Sequence, residues 1–545
     1  MEYKSFNKLL EDGICRNWNR KALSDYDGRT LRYSDVAWSV VKLQRMFALC
    51  GVRRGDKVAI CSRNQANWGV AFMAALSAGA VPVPVLHEFK PGNIHYLVNH
   101  SDSKVLLAGS NIWENITETA MPALRAVVML DTLQPITAAD DVLLGALRAV
   151  DSDMERDFAA GFSPADLVFF KDSPDDLAII NYTSGTSGFA KGVMLPYRTL
   201  GLNVALMAES FPEITCDTNI VAMLPTAHMY GMMVDFIYEM TVGAHVHYLT
   251  RLPSPKVIMD ACAAIRPDIV FTVPLMAEKV CRGLMRQMNY DYNPQSLSAE
   301  ACAVAKAALE AVFGGNFSQL VIGGAPLSAE VEDFLLAIGF RYTVGSGMTE
   351  CGPLVSVSRW DATKPHTCGR LAPYLSVRVD SPDASTVPGE LYFKSDVLFK
   401  GYYKMPAETA EVMSADGWFR TGDIGLVGPD RFLTLKGRSK NMILTSTGHN
   451  IYPEEIESSV NNLPYVQESL IVEDRGKLLA LIYPDHGQAA GDSLSDGDLY
   501  QALKAEIRTL NEALPTYCQI ARFEIFPEEF EKTPKKSIKR YLYQR

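Results

Sequence analysis

The chain has 545 residues, 48% hydrophobic and 21% charged, with 38 glycines and 29 prolines. That composition excludes disordered, collagen-like and membrane-embedded chains and leaves length for several globular domains. The 52 basic residues fall short of the 63 acidic ones, giving a net charge of −11. Such a surface repels phosphate backbones and gives no long-range pull toward anionic lipid, so nucleic acid is not expected as a partner.

The first residues, Met1 to Phe6, hold no apolar run of signal-peptide type. Ser34 is placed to cap a helix whose apolar stripe is Val36, Val40, Leu43, Phe47 and Cys50, with Gly51 as its stop. A strand follows over 57–61. Residues 68–86 carry no charge, which meets the length rule for a membrane span. Pro82 and Pro84 would break such a span, so the segment reads as a buried helix over 68–78, a stop at Gly79 and a buried strand through 81–83. No integral membrane segment is expected.

Further short apolar runs lie at 104–107, 126–130, 178–180, 220–224, 269–271 and 320–322. Strands alternating with helices imply parallel sheets covered on both faces. Near 370–435 the texture changes to short strands at 376–379, 389–393 and 431–435, a small β subdomain. In the last hundred residues, 469–472 and 478–482 flank Asp474-Arg475-Gly476 as a hairpin, and Leu499, Leu503, Ile507 and Leu510 form a helical stripe. The ten cysteines show no C-x-x-C and no zinc spacing, as expected of reduced thiols in a cytoplasmic protein. His366 and Cys368 lack further ligands nearby and read as structural.

The segment most informative for chemistry follows the 178–181 strand: Thr183, Ser184, Gly185, Thr186, Ser187, Gly188, Phe189, Ala190, Lys191 and Gly192. Glycines let backbone N–H groups approach phosphate oxygens, hydroxyls add hydrogen bonds, and Lys191 adds a point charge. It does not match the Walker A spacing. This string resembles the phosphate-loop signature of the adenylate-forming superfamily of acyl- and aryl-CoA synthetases, adenylation domains and luciferase, with Ala190 where that signature has proline. Five further segments resemble the superfamily in order: Leu224 to Gly231, containing His228; Gly323-Gly324-Ala325-Pro326-Leu327; Gly347-Met348-Thr349-Glu350; Asp416 to Asp423; and Gly437-Arg438-Ser439-Lys440-Asn441. The segments around Phe271 to Lys279 and Gly448 to Glu457 are similar to the long-chain acyl-CoA ligase branch. Met229, Met232 and Met233, with Tyr230, Phe236 and Tyr238, suit an adaptable lipid tunnel or ordinary core packing.

The resemblance implies an α/β fold. It has a large N-terminal domain of doubly wound sheets plus a small β subdomain (1–438) and a small mobile α+β C-terminal domain (439–545), hinged near Lys440. It implies ATP, Mg²⁺ and coenzyme A as co-substrates and cofactor. Thr183 to Lys191 would hold the β- and γ-phosphates, and Glu350 would hold Mg²⁺. Thr349 would bond the α-phosphate. Gly324, Ala325, Pro326, Ser346, Gly347 and Met348 would line the adenine site, and Asp423 with Arg438 the ribose. His228 would border the acyl site, and Gly448 a pantetheine channel. The implied reaction turns a medium- or long-chain fatty acid into acyl-AMP and then acyl-CoA. An acyl carrier protein as acceptor, a ligase stopping at acyl-AMP and a non-catalytic nucleotide-binding homologue are the alternatives. An apolar substrate can also draw the protein transiently to membranes.

Two departures stand out. Ser346 occupies the place of an aromatic that stacks on adenine in relatives, so stacking is lost or comes from elsewhere, Tyr342 being the candidate. Ser537 occupies the slot of the C-terminal lysine; a shift of one or two residues brings in Lys536 or Lys535, unless the basic stretch from Lys532 to Arg540 is a solvated tail.

Overall fold

The computed structural model describes residues 5–183, 190–251, 254–290, 297–444, 449–533 and 537–545. The chain divides into two compact units, Met1–Ser376 with Lys394–Gly417, and Val377–Phe393 with Trp418–Arg545. The α/β class expected from the alternating pattern holds.

In the first unit, one sheet runs in the order Val81–Val85, Lys57–Cys61, Ser103–Ala108, Ala126–Met129, Gln134–Ala138. Its first four strands are parallel and the last is antiparallel. The uncharged stretch forms the helix Ala66–Ser77, every residue of which is buried, and then the strand Val81–Val85. Gly79 lies between them at φ +72°, a conformation that favours glycine. The strand keeps Pro82 and Pro84 because it lies at the sheet edge, where a missing N–H breaks no ladder. Among the described residues no helix is long and apolar enough to cross a membrane.

A second sheet has the order Asn219–Ala222, His245–Tyr248, Lys21–Asp25, Thr30–Arg32. A parallel bridge from Ile220 to Ile269 continues it toward the parallel strands Val270–Thr272, Leu320–Ile322 and Tyr342–Val344. Both faces of those three strands are buried, as parallel sheets require.

Three expectations need correcting. Ser34 is not the cap: the helix begins at Tyr33 and ends at Leu49, and Asp35 accepts the Arg32 N–H at 2.7 Å, so the first-turn carboxylate does the capping. The 178–180 strand belongs to no parallel sheet; Leu177–Thr183 pairs antiparallel with Lys191–Pro196, because the connection is too short for a crossover. Tyr342 cannot stack on a nucleotide. It is 3% exposed within the apolar core, and its hydroxyl donates to Glu332 Oε1 at 2.8 Å.

The second unit holds the four-stranded sheet Ser376–Asp380, Gly389–Lys394, Phe419–Val427, Leu433–Arg438 in that order. It also holds the hairpin Val466–Asp474 and Lys477–Pro484, turning through Arg475 and Gly476 as expected. Ile520–Ile525 joins that hairpin in parallel. The helix Asp496–Ala513, capped by Ser495, buries Leu499, Leu503 and Ile507 against it.

Candidate active site

The strands Leu177–Thr183 and Lys191–Pro196, which flank the hydroxyl- and glycine-rich string in sequence, pair antiparallel; Thr183 faces Lys191 and donates its hydroxyl to the Lys191 carbonyl at 3.5 Å. Ser184, Gly185, Thr186, Ser187 and Gly188 lie outside the described residues. The far edge of the hairpin is fastened to residues 399–405. Val193 bridges Tyr402, Tyr403 N–H donates to Gly192 O at 2.7 Å, and Met194 N–H donates to Gly401 O at 3.0 Å. That pairing brings the Lys191 ammonium to 4.7 Å from the centre of the Tyr402 ring, within cation–π range.

Glu350 reaches the same ring from another part of the chain. Tyr402 Oη donates to Glu350 Oε1 at 2.9 Å. Glu350 sits in the short helical turn Thr349–Cys351, next to the strand Ser346–Gly347. Asn203, on the helix Tyr197–Ser210 and fully buried, clamps this turn from behind: its amide donates to Cys351 O at 2.9 Å and its carbonyl accepts Leu354 N–H at 2.8 Å. Gly352 completes the turn at φ +67°; a Cβ there would come within 2.3 Å of Thr199 Cγ2. The oriented carboxylate of Glu350 suits Mg²⁺. That ion keeps waters and binds through one or two carboxylates plus substrate phosphates.

The loop carrying His228 is held by two more asparagines. Asn64 donates to Leu224 O at 2.7 Å and accepts Thr226 N–H at 2.9 Å. Asn181, on the phosphate hairpin and 1% exposed, donates to Ala227 O at 2.9 Å. His228 itself is half-buried and caps the helix Met229–Met232, its Nδ1 accepting Tyr230 N–H at 3.2 Å. That bond leaves the ring proton of the neutral imidazole on Nε2. Tyr230 donates its hydroxyl to Thr272 O at 3.3 Å, and its ring lies so close to Gly323 that a Cβ there would sit 3.0 Å from it. Gly324, Ala325 and Pro326 follow, exposed, at the carboxyl end of the strand Leu320–Ile322, the usual binding end of a parallel sheet.

The helix continues through the π-turn Met233–Ile237 to Val242 and buries two carboxyls completely, Asp235 and Glu239. Burial pushes both well above the ordinary carboxylate range. Asp235 accepts Leu224 N–H at 3.2 Å.

In the second unit Asp423 and Arg438 are ladder partners and form an ion pair, Nε to Oδ1, at 3.0 Å. Arg438 also donates to Thr421 O at 3.3 Å. Lys440 is exposed in the turn Ser439–Asn441, and Ser439 donates to Glu390 Oε1 at 3.1 Å. Gly448 lies outside the described residues, as do Lys535 and Lys536. Among the described neighbours, Lys532 bridges Ile538, and Thr533 N–H donates to Ser537 O at 2.8 Å. The neighbouring cations are paired, Lys532 with Glu468 and Glu529, Lys539 with Glu531, and Arg540 with the buried Glu457 at 2.7 Å. The stretch is thus not a simple solvated tail.

The first unit brings Thr183, Lys191, Thr349, Glu350, His228 and Gly324 into one chain of contacts through Tyr402, Asn181, Asn203 and Tyr230. The motif reading missed Tyr402 and the three asparagines. Each acts across a long sequence separation, and no local pattern marks them.

The AMP-binding enzyme family matches residues 11–403, and the AMP-binding enzyme C-terminal domain matches 440–545. A long-chain-fatty-acid–CoA ligase of Mycobacterium bovis is 28% identical, covering 90% of this chain and 86% of that protein. A peroxisomal long-chain acyl-CoA synthetase of Arabidopsis thaliana is 27% identical over 91% of this chain and 76% of its own. In fold, the chain is similar to an anthranilate CoA ligase bound to anthranoyl-AMP, with a TM-score of 0.79 at 18% identity, covering 99% of this chain and 96% of that one. It is also similar to ATP-bound MatB of Rhodopseudomonas palustris, with a TM-score of 0.76 at 22% identity over 99% and 98%.

Proposed function

The chain belongs to the AMP-binding enzyme family and is an adenylate-forming ligase, and from that premise we propose that it activates a medium- or long-chain fatty acid. ATP converts the carboxylate to acyl-AMP with release of pyrophosphate, and coenzyme A then takes the acyl group and releases AMP. The observation that carries this reading is the meeting of Lys191 and Glu350 on Tyr402. A cation for phosphate and a hard carboxylate, contributed by two distant motifs, converge on one ring.

The first step brings an anion to a polyanion, so positioning and charge neutralisation dominate the barrier. The hairpin hydroxyls and Lys191 hold the β- and γ-phosphates, and Thr349 bonds the α-phosphate. Glu350 would hold Mg²⁺, which screens the phosphates when bound. Asp423, acceptor-only when ionised, takes ribose hydroxyls, with the Arg438 guanidinium beside it. The loops at Gly324 to Pro326 and Ser346 to Met348 flank the adenine. His228 offers its Nε2–H to the acyl carboxylate. Lys536 or Lys535 supplies the cation between carboxylate and phosphate.

The second step needs other groups over the same centre. Lys440 serves as the hinge between 1–438 and 439–545, and Gly448 borders the pantetheine path, where the absence of a side chain permits close approach.

The choice of a fatty acid rests on the similarity to a long-chain-fatty-acid–CoA ligase and a long-chain acyl-CoA synthetase. The cytoplasm is the proposed compartment.

The test is incubation with ATP, Mg²⁺ and saturated acids of graded length, with and without coenzyme A, read by mass spectrometry. Acyl-CoA with a chain-length optimum is the expected result. Acyl-AMP that persists in the presence of coenzyme A would move the acceptor to a carrier protein. Neither product from any acid would favour a non-catalytic homologue.

A further inference from the structure

We infer that Tyr402 is the positioning residue of the nucleotide site: its ring holds the Lys191 ammonium and its hydroxyl fixes the Glu350 carboxylate. The inference rests on the roles of Lys191 and Glu350 proposed above and adds a third residue that no motif marks.

The geometry is specific on both sides. The ammonium lies 4.7 Å from the ring centre, and the hydroxyl donates to Glu350 Oε1 at 2.9 Å. Tyr402 is 7% exposed, so both contacts act in a medium less polar than water and gain strength from it. The ring is itself held firmly. Its backbone bridges Val193 on the hairpin and Met405 in its own turn, and its N–H donates to Thr409 Oγ1 at 2.9 Å. Phe399 packs against the ring at 5.0 Å between centroids. Gly401 before it sits at φ +122°, where a Cβ would meet Thr409 Cγ2 at 2.8 Å.

The arrangement answers a physical difficulty. A lysine and a glutamate that must both serve one polyphosphate tend to neutralise each other in a direct ion pair. An ammonium resting on a π face is held less tightly than in a direct ion pair with a carboxylate, so it passes to a phosphate at lower cost. A carboxylate with one oxygen held by a phenol O–H keeps a fixed orientation and presents its other oxygen to a hard cation. One side chain thereby prepares both charges before ATP arrives.

The two contacts separate by substitution. Tyr402→Phe keeps the ring and removes the hydroxyl; Tyr402→Leu removes both. Calorimetric titration with ATP, in the absence of acid and with or without Mg²⁺, reads binding rather than turnover. Tyr402→Phe is expected to bind Mg²⁺-free ATP within about two-fold of the wild-type protein, while losing about ten-fold of the gain in affinity that Mg²⁺ confers. Tyr402→Leu is expected to lose affinity for Mg²⁺-free ATP as well. A Tyr402→Phe protein whose Mg²⁺-dependent gain equals or exceeds that of the wild type overturns the inference, whatever becomes of the leucine variant. The wild-type titration and Lys191→Ala test the underlying reading separately. If wild-type protein binds no ATP, or Lys191→Ala binds it equally well, the nucleotide-site reading fails, and the positioning role fails with it.

Discussion

Asp423 and Arg438 face each other across one rung of an antiparallel ladder, and the guanidinium Nε lies 3.0 Å from the carboxylate Oδ1. Strand register, rather than side-chain chance, makes this pair. The Arg438 side chain is 49% exposed, so the pair adds at most about 1 kcal/mol to stability. Its value lies in presenting an oriented acceptor and a fixed donor together. Asp423→Asn is therefore expected to unfold within a few degrees of the wild-type protein in a thermal melt. Its KM for ATP should rise by about ten-fold or more, the worth of a hydrogen bond to a charged group. A large loss of melting temperature with unchanged KM would make the pair structural.

The turn that carries Thr349 and Glu350 depends on Asn203, whose amide serves both Cys351 O and Leu354 N–H from a fully buried position. Asn203→Ala leaves those backbone groups unpaired, at a cost of about 1–3 kcal/mol per group. Urea unfolding should register that loss. The Mg²⁺ dependence of adenylate formation should weaken in parallel, because Glu350 loses its support. Asn203→Ala with wild-type stability would show that solvent or neighbouring groups take over both bonds.

The helix after His228 predicts a pH dependence. Asp235 and Glu239 are fully buried, and burial raises both well above the ordinary carboxyl value, with Asp235 adding to the rise at Glu239. In the folded chain they stay protonated; in the unfolded chain they ionise above about pH 4.5. The folded state therefore binds more protons, and these groups remove stability as pH climbs from about 4.5 toward the raised folded values. Glu239→Gln is expected to flatten the fall in unfolding free energy between pH 5.5 and 8, by up to about 1.4 kcal/mol per pH unit. Equal slopes for the two proteins would mean that Glu239 ionises in the folded state.

Near the C-terminal end, the Ser537 carbonyl accepts the Thr533 N–H. Lys532 and Lys539 are engaged by glutamates. The proposed cation for the first step is Lys536 or Lys535. Lys536→Ala and Lys535→Ala are each compared with the wild type in acyl-AMP formation and in acyl-CoA formation from supplied acyl-AMP. One of them should lower the first by about two to three orders of magnitude, the usual effect of removing one charge donor, and leave the second near its normal rate. If both variants adenylate normally, the cation comes from elsewhere.

Much of this architecture was legible because it is local. The uncharged run after Trp68 carries its own proline and glycine punctuation, and the strand at 57–61 and the hairpin at 469–482 follow from apolar periodicity and turn residues. The strand at 178–181 was legible from its apolar run, but its antiparallel partner Lys191–Pro196 was not, since register depends on partners rather than on the segment itself. Tyr342 misled for a related reason: a tyrosine in a strand buried on both faces spends its hydroxyl on an internal carboxyl. Tyr402, Asn64, Asn181 and Asn203 were invisible because their partners lie far away in sequence, and an asparagine that holds a distant loop has the same local signature as one in a turn.

The proposed function turns on one step, the joining of a fatty carboxylate to the α-phosphate of ATP. Exchange of labelled pyrophosphate into ATP tests that step alone, with no dependence on the thiol acceptor. Exchange is expected to require Mg²⁺, to appear only with fatty acids of a preferred length, and to fall by orders of magnitude in Lys191→Ala and Glu350→Gln. Exchange that proceeds without any acid, or is absent with every acid tried, would contradict it.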